Sequence, residues 1–107
     1  MSRSQRDKGA RVERRIVHDH LAMGIHAERV PLSGASHYRG ESHDIDIHLG
    51  WTTLIAEVKS RGRGQGFTTI ERWLNSNDCL FLVKDRADPL ICLSWETWSA
   101  LLQRLKQ

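Results

Sequence analysis

The sequence predicts a small α/β domain with its elements in the order αβββαββα, and three observations carry that reading. Val12, Ile16, Val17 and Leu21 recur at helical spacing. Residues 44–59 alternate polar and apolar on both sides of Gly50-Trp51, as the arms of a hairpin do. Two short apolar runs, 79–83 and 90–93, lead into a Ser-initiated amphipathic stretch.

Residues 1–9 are polar and are expected to be flexible, so the first helix is placed at about 10–23, where Gly24 offers a stop. Residues 25–30 read as a short strand. Residues 31–42, rich in Gly, Ser and Pro, read as a loop of about twelve residues, long enough to suggest a functional role. The hairpin strands are 44–49 and 52–59, joined by a two-residue turn with Gly first. A basic, glycine-rich loop at 60–66 precedes a helix at 68–75 carrying Ile70, Trp73 and Leu74 on one side. Strands at 79–83 and 90–93 flank a turn at 84–89. Ser94 then caps a final helix whose Trp95, Trp98, Leu101, Leu102 and Leu105 share a stripe. No internal repeat or dividing linker is visible, so 1–107 is read as one domain.

The bulk properties bound the function without naming it. A chain of 107 residues, 39% hydrophobic and 27% charged, has an ordinary globular composition. A core this thin makes a homodimer a natural supplement. Lys and Arg outnumber Asp and Glu 16 to 13, and they crowd residues 3–15 and 59–63, which suits a polyanionic partner or a solvated basic surface. No apolar run reaches the length of a membrane span and the N-terminus lacks a signal-peptide core, so a soluble, cytoplasmic protein is expected. Cys79 and Cys92 lie in apolar runs and are expected to be reduced core thiols.

Chemistry concentrates in the hairpin. With Gly50 and Trp51 as turn residues, Leu49 faces Thr52 and Asp44 comes opposite Glu57. Cross-strand neighbours lie about 4.5 to 5.5 Å apart at Cβ, so both carboxylates can hold one divalent cation. Lys59 projects from the same face about 6.6 Å further along. The same register gathers Ile45, Ile47 and Leu49 with Leu54, Ala56 and Val58 on the opposite, apolar face. Two adjacent carboxylates repel, and a hard cation such as magnesium offsets that repulsion. Asp46 shares the polar face, opposite Ile55, and is the alternative to Asp44.

Other residues divide between bland and chemical readings. The six histidines lack a zinc-ligand spacing and are expected to be solvated, with His43 kept as a substrate contact because it adjoins Asp44. Arg61 and Arg63, interleaved with glycines, are placed against a phosphate backbone. Ser33 and Ser36 serve either a turn or a phosphate. Trp51 sits at the hairpin tip, exposed for stacking or covered by a second copy, while Trp73, Trp95 and Trp98 are assigned to the core.

Several of these residues resemble a known pattern. The stretch Lys8-Gly9-Ala10-Arg11-Val12-Glu13-Arg14, then Arg29 before Pro31-Leu32-Ser33-Gly34, then the thirteen-residue step from Asp44 to Glu57 and the closing Lys59 are similar to one superfamily of enzymes. It is the PD-(D/E)xK nuclease superfamily, and within it the archaeal-type Holliday junction resolvases with their phage and bacterial relatives. The resemblance spans nearly the whole chain. It departs from the pattern at His43, where the motif has proline, and in the C-terminal helix with Trp95 and Trp98, which looks more like the phage and bacterial branch.

The resemblance implies a restriction-endonuclease-like core in the order αβββαββ, with a mixed central sheet flanked by helices and a C-terminal helix added. It implies a Mg2+-dependent DNA endonuclease, Mn2+ substituting, that cuts branched DNA as a homodimer in a bacterial, archaeal or phage-infected cell. Asp44, Glu57, Lys59 and Glu13 become the catalytic set; Asp44, Glu57, Val58 and Glu13 the metal positions; and Arg11, Arg29, Ser33, Arg61 and Arg63 the DNA contacts. Val12, Ile16 and Val17 beside Glu13 would carry that acid toward the hairpin's end. The alternatives are a nuclease for linear or flap ends and a catalytically silent DNA-binding module of the same fold.

Overall fold

A computed structural model describes residues 3–30 and 43–106. They form a mixed α/β structure of three helices and two small antiparallel sheets, distributed over two compact units that meet in sequence between Ser60 and Arg61. The loop expected at 31–42 lies outside the described residues.

In the first unit, helix α1 (Arg3–Ala22) begins well before the expected start near residue 10. Its first turns hold Arg, Gln and Lys, which are good helix formers, and no proline; only the apolar periodicity is missing there. Gly24 ends it as expected. With φ of 80°, Gly24 donates to Leu21 O at 2.9 Å and Ile25 donates to His20 O at 3.0 Å, the paired bonds of a Schellman motif.

Strands β1 (His26–Arg29), β2 (Ile45–Leu49) and β3 (Thr52–Ala56) follow, with β2 central. The hairpin register is the expected one: Leu49 faces Thr52, Asp46 faces Ile55 and Ile45 faces Ala56. The turn reaches it by another route. Gly50 is not among the glycines at positive φ, so its special freedom is unused. The third strand ends at Ala56 instead of continuing to Lys59.

Pleating sorts the faces. Ala27, Ile45 and Ile47 are buried on one side with Ile25 and with Val17 of α1, which packs against β1. His20 is buried with them, correcting the expectation of solvated histidines, whereas Leu21 is exposed. The reason is geometric: His20 lies three residues after Val17 and four after Ile16, on their stripe, and its Nδ1 meets the Ile16 carbonyl at 2.8 Å.

The second unit contains helix α2 (Thr68–Leu74), strands β4 (Cys79–Leu82) and β5 (Leu90–Leu93), and helix α3 (Trp95–Leu105). Ser94 caps α3 as expected, its Oγ accepting from the Thr97 amide at 3.1 Å. Cys79 and Cys92 are free and half-buried. They occupy adjacent rungs, Cys79 opposite Leu93 and Leu80 opposite Cys92, so their side chains leave opposite faces.

Two expectations fail. The strands form two antiparallel sheets, not one mixed sheet. Antiparallel pairing needs only the short turns this chain supplies after Leu49 and Leu82, and both ladders are built from it. The indoles expected in the core are not there either: Trp73 is 54% and Trp95 46% exposed, and Trp98 is half-buried. A ladder of two four-residue strands has too little surface to cover three large rings. In α3 only Leu102 of the expected stripe is buried.

Candidate metal centre

The end of the first sheet opposite the turn departs from regular pairing at Asp44. In a regular antiparallel strand a residue's N–H and C=O point to the same neighbour. Asp44 divides them: its carbonyl accepts from Val30 at 3.0 Å, on the β1 side, and its amide donates to Ala56 O at 3.0 Å, on the β3 side. This is a bulge-like kink, a device that re-aims a side chain at a sheet's rim. It compensates for the early end of β3, because the Val58 amide, lacking a ladder partner, donates to Asp44 Oδ2 at 2.6 Å.

Asp44 meets Glu57 through a side-chain hydrogen bond at this kink and not as the expected cross-strand pair, because the ladder ends one rung earlier at Ile45 and Ala56. The Glu57 carboxyl is held above the ordinary carboxylate value, first by a hydrogen bond with Asp44 and then by the charge of Asp44, with a smaller contribution from desolvation. Lys59 opposes the shift, and Glu13 adds to it. Lys59 Nζ stands 3.8 Å from Glu57 Oε2. Both side chains are exposed, so their pairing adds little to stability and leaves the ammonium accessible.

Glu13 comes from α1. Its Oε1 accepts from Arg29 Nε at 3.0 Å, and both side chains are mostly covered. Arg29, expected among the DNA contacts, is thus engaged within the chain, joining α1 to the end of β1. Its fork holds the Glu13 carboxylate where that charge is felt at Glu57.

Asp46 is drawn away from this group. Its Oδ1 meets His43 Nε2 at 2.5 Å, and the His43 side chain is only 5% exposed. The histidine kept as a substrate contact is therefore buried against the second aspartate. No spacing in the sequence marks that pair, although three residues separate them.

The remaining expected positions are placed as follows. Val58 has spent its amide on Asp44, and its apolar side chain leaves the main-chain carbonyl as what it can offer a cation. Arg11 is exposed on α1, and Arg61 and Arg63 are exposed in the second unit. Ser33 and Ser36 lie outside the described residues.

Asp44 and Glu57 offer carboxylate oxygens, which fit a hard divalent cation such as Mg2+ or Mn2+, whereas Glu13 reaches Glu57 through its charge alone, and the group of three ligand residues that converges among the described residues is His26, Glu28 and His48. The elevated proton affinity of Glu57 points the same way: charge accumulates there that a cation would relieve. No family model, no curated protein and no solved structure matches this chain. Among the described residues no helix is long and apolar enough to cross a membrane.

Proposed function

We propose that the chain is a metal-dependent nuclease that hydrolyses DNA phosphodiesters and prefers branched DNA. The observation that carries the reading is the contact of Asp44 with Glu57, with Lys59 beside it and Glu13 within electrostatic reach. Asp44, Glu57, Glu13 and the Val58 carbonyl hold the cation. Magnesium, or manganese in its place, supplies polarisation of the phosphodiester and a lowered pKa for a water at the site. The chain's own residues do the rest. Val58 fixes the orientation of Asp44 through its amide, and Arg29 fixes that of Glu13. The ammonium of Lys59 orients the attacking water and offsets negative charge that develops on the phosphate. Arg11, Arg61 and Arg63 bind the DNA backbone, where sequence-independent charge contacts suffice.

The preference for branched DNA rests on the family resemblance of the sequence, and a homodimer follows because symmetric cuts need two sites. An exposed apolar surface in the second unit supports the second copy. Phe81 and Ile91, paired across the β4–β5 ladder and so on one face of it, are each more than half exposed.

The test uses four-way, flap and linear duplex DNA with Mg2+, Mn2+ or EDTA, beside Asp44→Asn, Asp46→Asn and Glu57→Gln. Metal-dependent cutting of the four-way substrate is expected, lost in Asp44→Asn and Glu57→Gln and retained in Asp46→Asn. DNA binding without product on any substrate would leave only a DNA-binding module. Equal cutting of linear duplex would remove the branch preference, and a dead Asp46→Asn beside an active Asp44→Asn would exchange the two aspartates.

A further inference from the structure

The polar face of the first sheet carries a second constellation, away from Asp44. The strand register sets His26 of β1 directly opposite His48 of β2, and His48 directly opposite Thr53 of β3. Glu28 follows two residues after His26 and so leaves the same face. The two imidazole rings are 4.8 Å apart between centroids and tilted by 58°. His48 Nε2 meets Glu28 Oε1 at 3.0 Å, and one ligand atom from each of His26, Glu28 and His48 lies within 4.8 Å of the others.

We propose that His26, Glu28 and His48 form a binding site for a borderline divalent cation of the zinc class, separate from the carboxylate centre. The donor set is two imidazoles and one carboxylate, which suits zinc and its neighbours and not magnesium. Tetrahedral coordination at about 2.0 to 2.1 Å sets ligand atoms about 3.3 Å apart, close to the separation already present between His48 and Glu28. His48 also has the outer partner such a ligand needs. Its Nδ1 meets Thr53 Oγ1 at 2.9 Å, which holds the ring plane and turns Nε2 toward Glu28. Three protein ligands leave a fourth position open to water.

The site is distinct from the first by position and by chemistry. His48 and Asp44 are four strand residues apart, about 13 Å along β2. Histidine spacing in the sequence gives no hint of it, because His26 and His48 are brought together by strand pairing alone. An ion there would fasten β1 to β2 near the hairpin turn, and the folded chain would gain stability by mass action.

Zn2+ titrated calorimetrically into the full chain, after removal of metals, tests the site, with Co2+ absorption reporting its geometry. One Zn2+ per chain is expected, with a rise in Tm and tetrahedral Co2+ bands. His26→Gln and His48→Gln should each abolish or strongly weaken binding, and Thr53→Val should weaken it about tenfold as a positioning residue. Glu57→Gln should leave Zn2+ affinity unchanged. Glu28, whose side chain is 59% exposed, provides a second variant, Glu28→Gln, if a histidine change perturbs the circular dichroism spectrum. Absence of Zn2+ binding by the wild type would overturn the proposal. So would binding unchanged in the double histidine variant, or lost only on Cys79→Ser or Cys92→Ser.

Discussion

The main-chain amide of Val58 donates to Asp44 Oδ2 at 2.6 Å, so a carboxylate closes the sheet where the ladder stops. This bond separates two properties of Asp44. Asp44→Asn keeps an acceptor oxygen for the amide and removes the charge; Asp44→Ala removes both. Urea unfolding should show Asp44→Ala destabilised by about 1–3 kcal/mol and Asp44→Asn much less. Mg2+ titration should show both variants unable to bind.

Glu57 gives a pH dependence whose sign is set by its neighbours. Its carboxyl is held above the ordinary value, chiefly by Asp44, so the folded chain binds that proton more tightly than the unfolded chain. The resulting stabilisation is complete below the unfolded value and is lost as pH rises through the folded one. Glu57→Gln should therefore flatten this part of the stability profile and raise the Tm of the metal-free protein at pH 7. Mg2+ should raise the Tm of the wild type and not of the variant, and wild-type affinity should climb with pH across the weakly acidic range.

Arg29 holds Glu13 at 3.0 Å, with 27% and 17% of the two side chains exposed. Removing the guanidinium leaves a mostly covered carboxylate without its partner, near Glu57. Arg29→Ala should cost on the order of 1–3 kcal/mol, read by denaturant titration, and Arg29→Lys should recover only part because it lacks the planar fork. A double-mutant cycle with Glu13→Gln should show coupling between the two sites.

Gly24 and Gly50 should respond differently to alanine. Gly24 sits at φ of 80° in the cap of α1, so Gly24→Ala should cost about 1 kcal/mol. Gly50 has ordinary φ and nothing within 4 Å of an added Cβ, so Gly50→Ala should stay within about 0.5 kcal/mol. Thermal melts of the two variants make the comparison.

Ile91 and Phe81 face each other across the β4–β5 ladder, and both are exposed. If this surface meets a second copy, Phe81→Lys should convert a dimer to a monomer in light scattering, with the circular dichroism spectrum unchanged. A dimer that persists would place the interface elsewhere.

Local pattern was enough to determine much of this protein. The element order, the hairpin register, the Gly24 stop and the Ser94 cap follow from alternation, period and cap chemistry, which act over a few residues. The register brought Asp44 to the end of the ladder, just beyond the Ile45–Ala56 rung, where Glu57 follows Ala56. Tertiary structure decided the rest, because the deciding contacts follow no period along the chain. Arg29 takes Glu13 from sixteen residues away, and His43 takes Asp46, the aspartate that pattern had kept as the alternative to Asp44. His20 is buried and Trp73 exposed, against their types, because coverage depends on which neighbouring surface exists and not on hydropathy. The kink that turns Asp44 toward both Val58 and Glu57 arises where β2 and β3 stop pairing after Ile45 and Ala56, and no periodicity along one strand records where its partner ends.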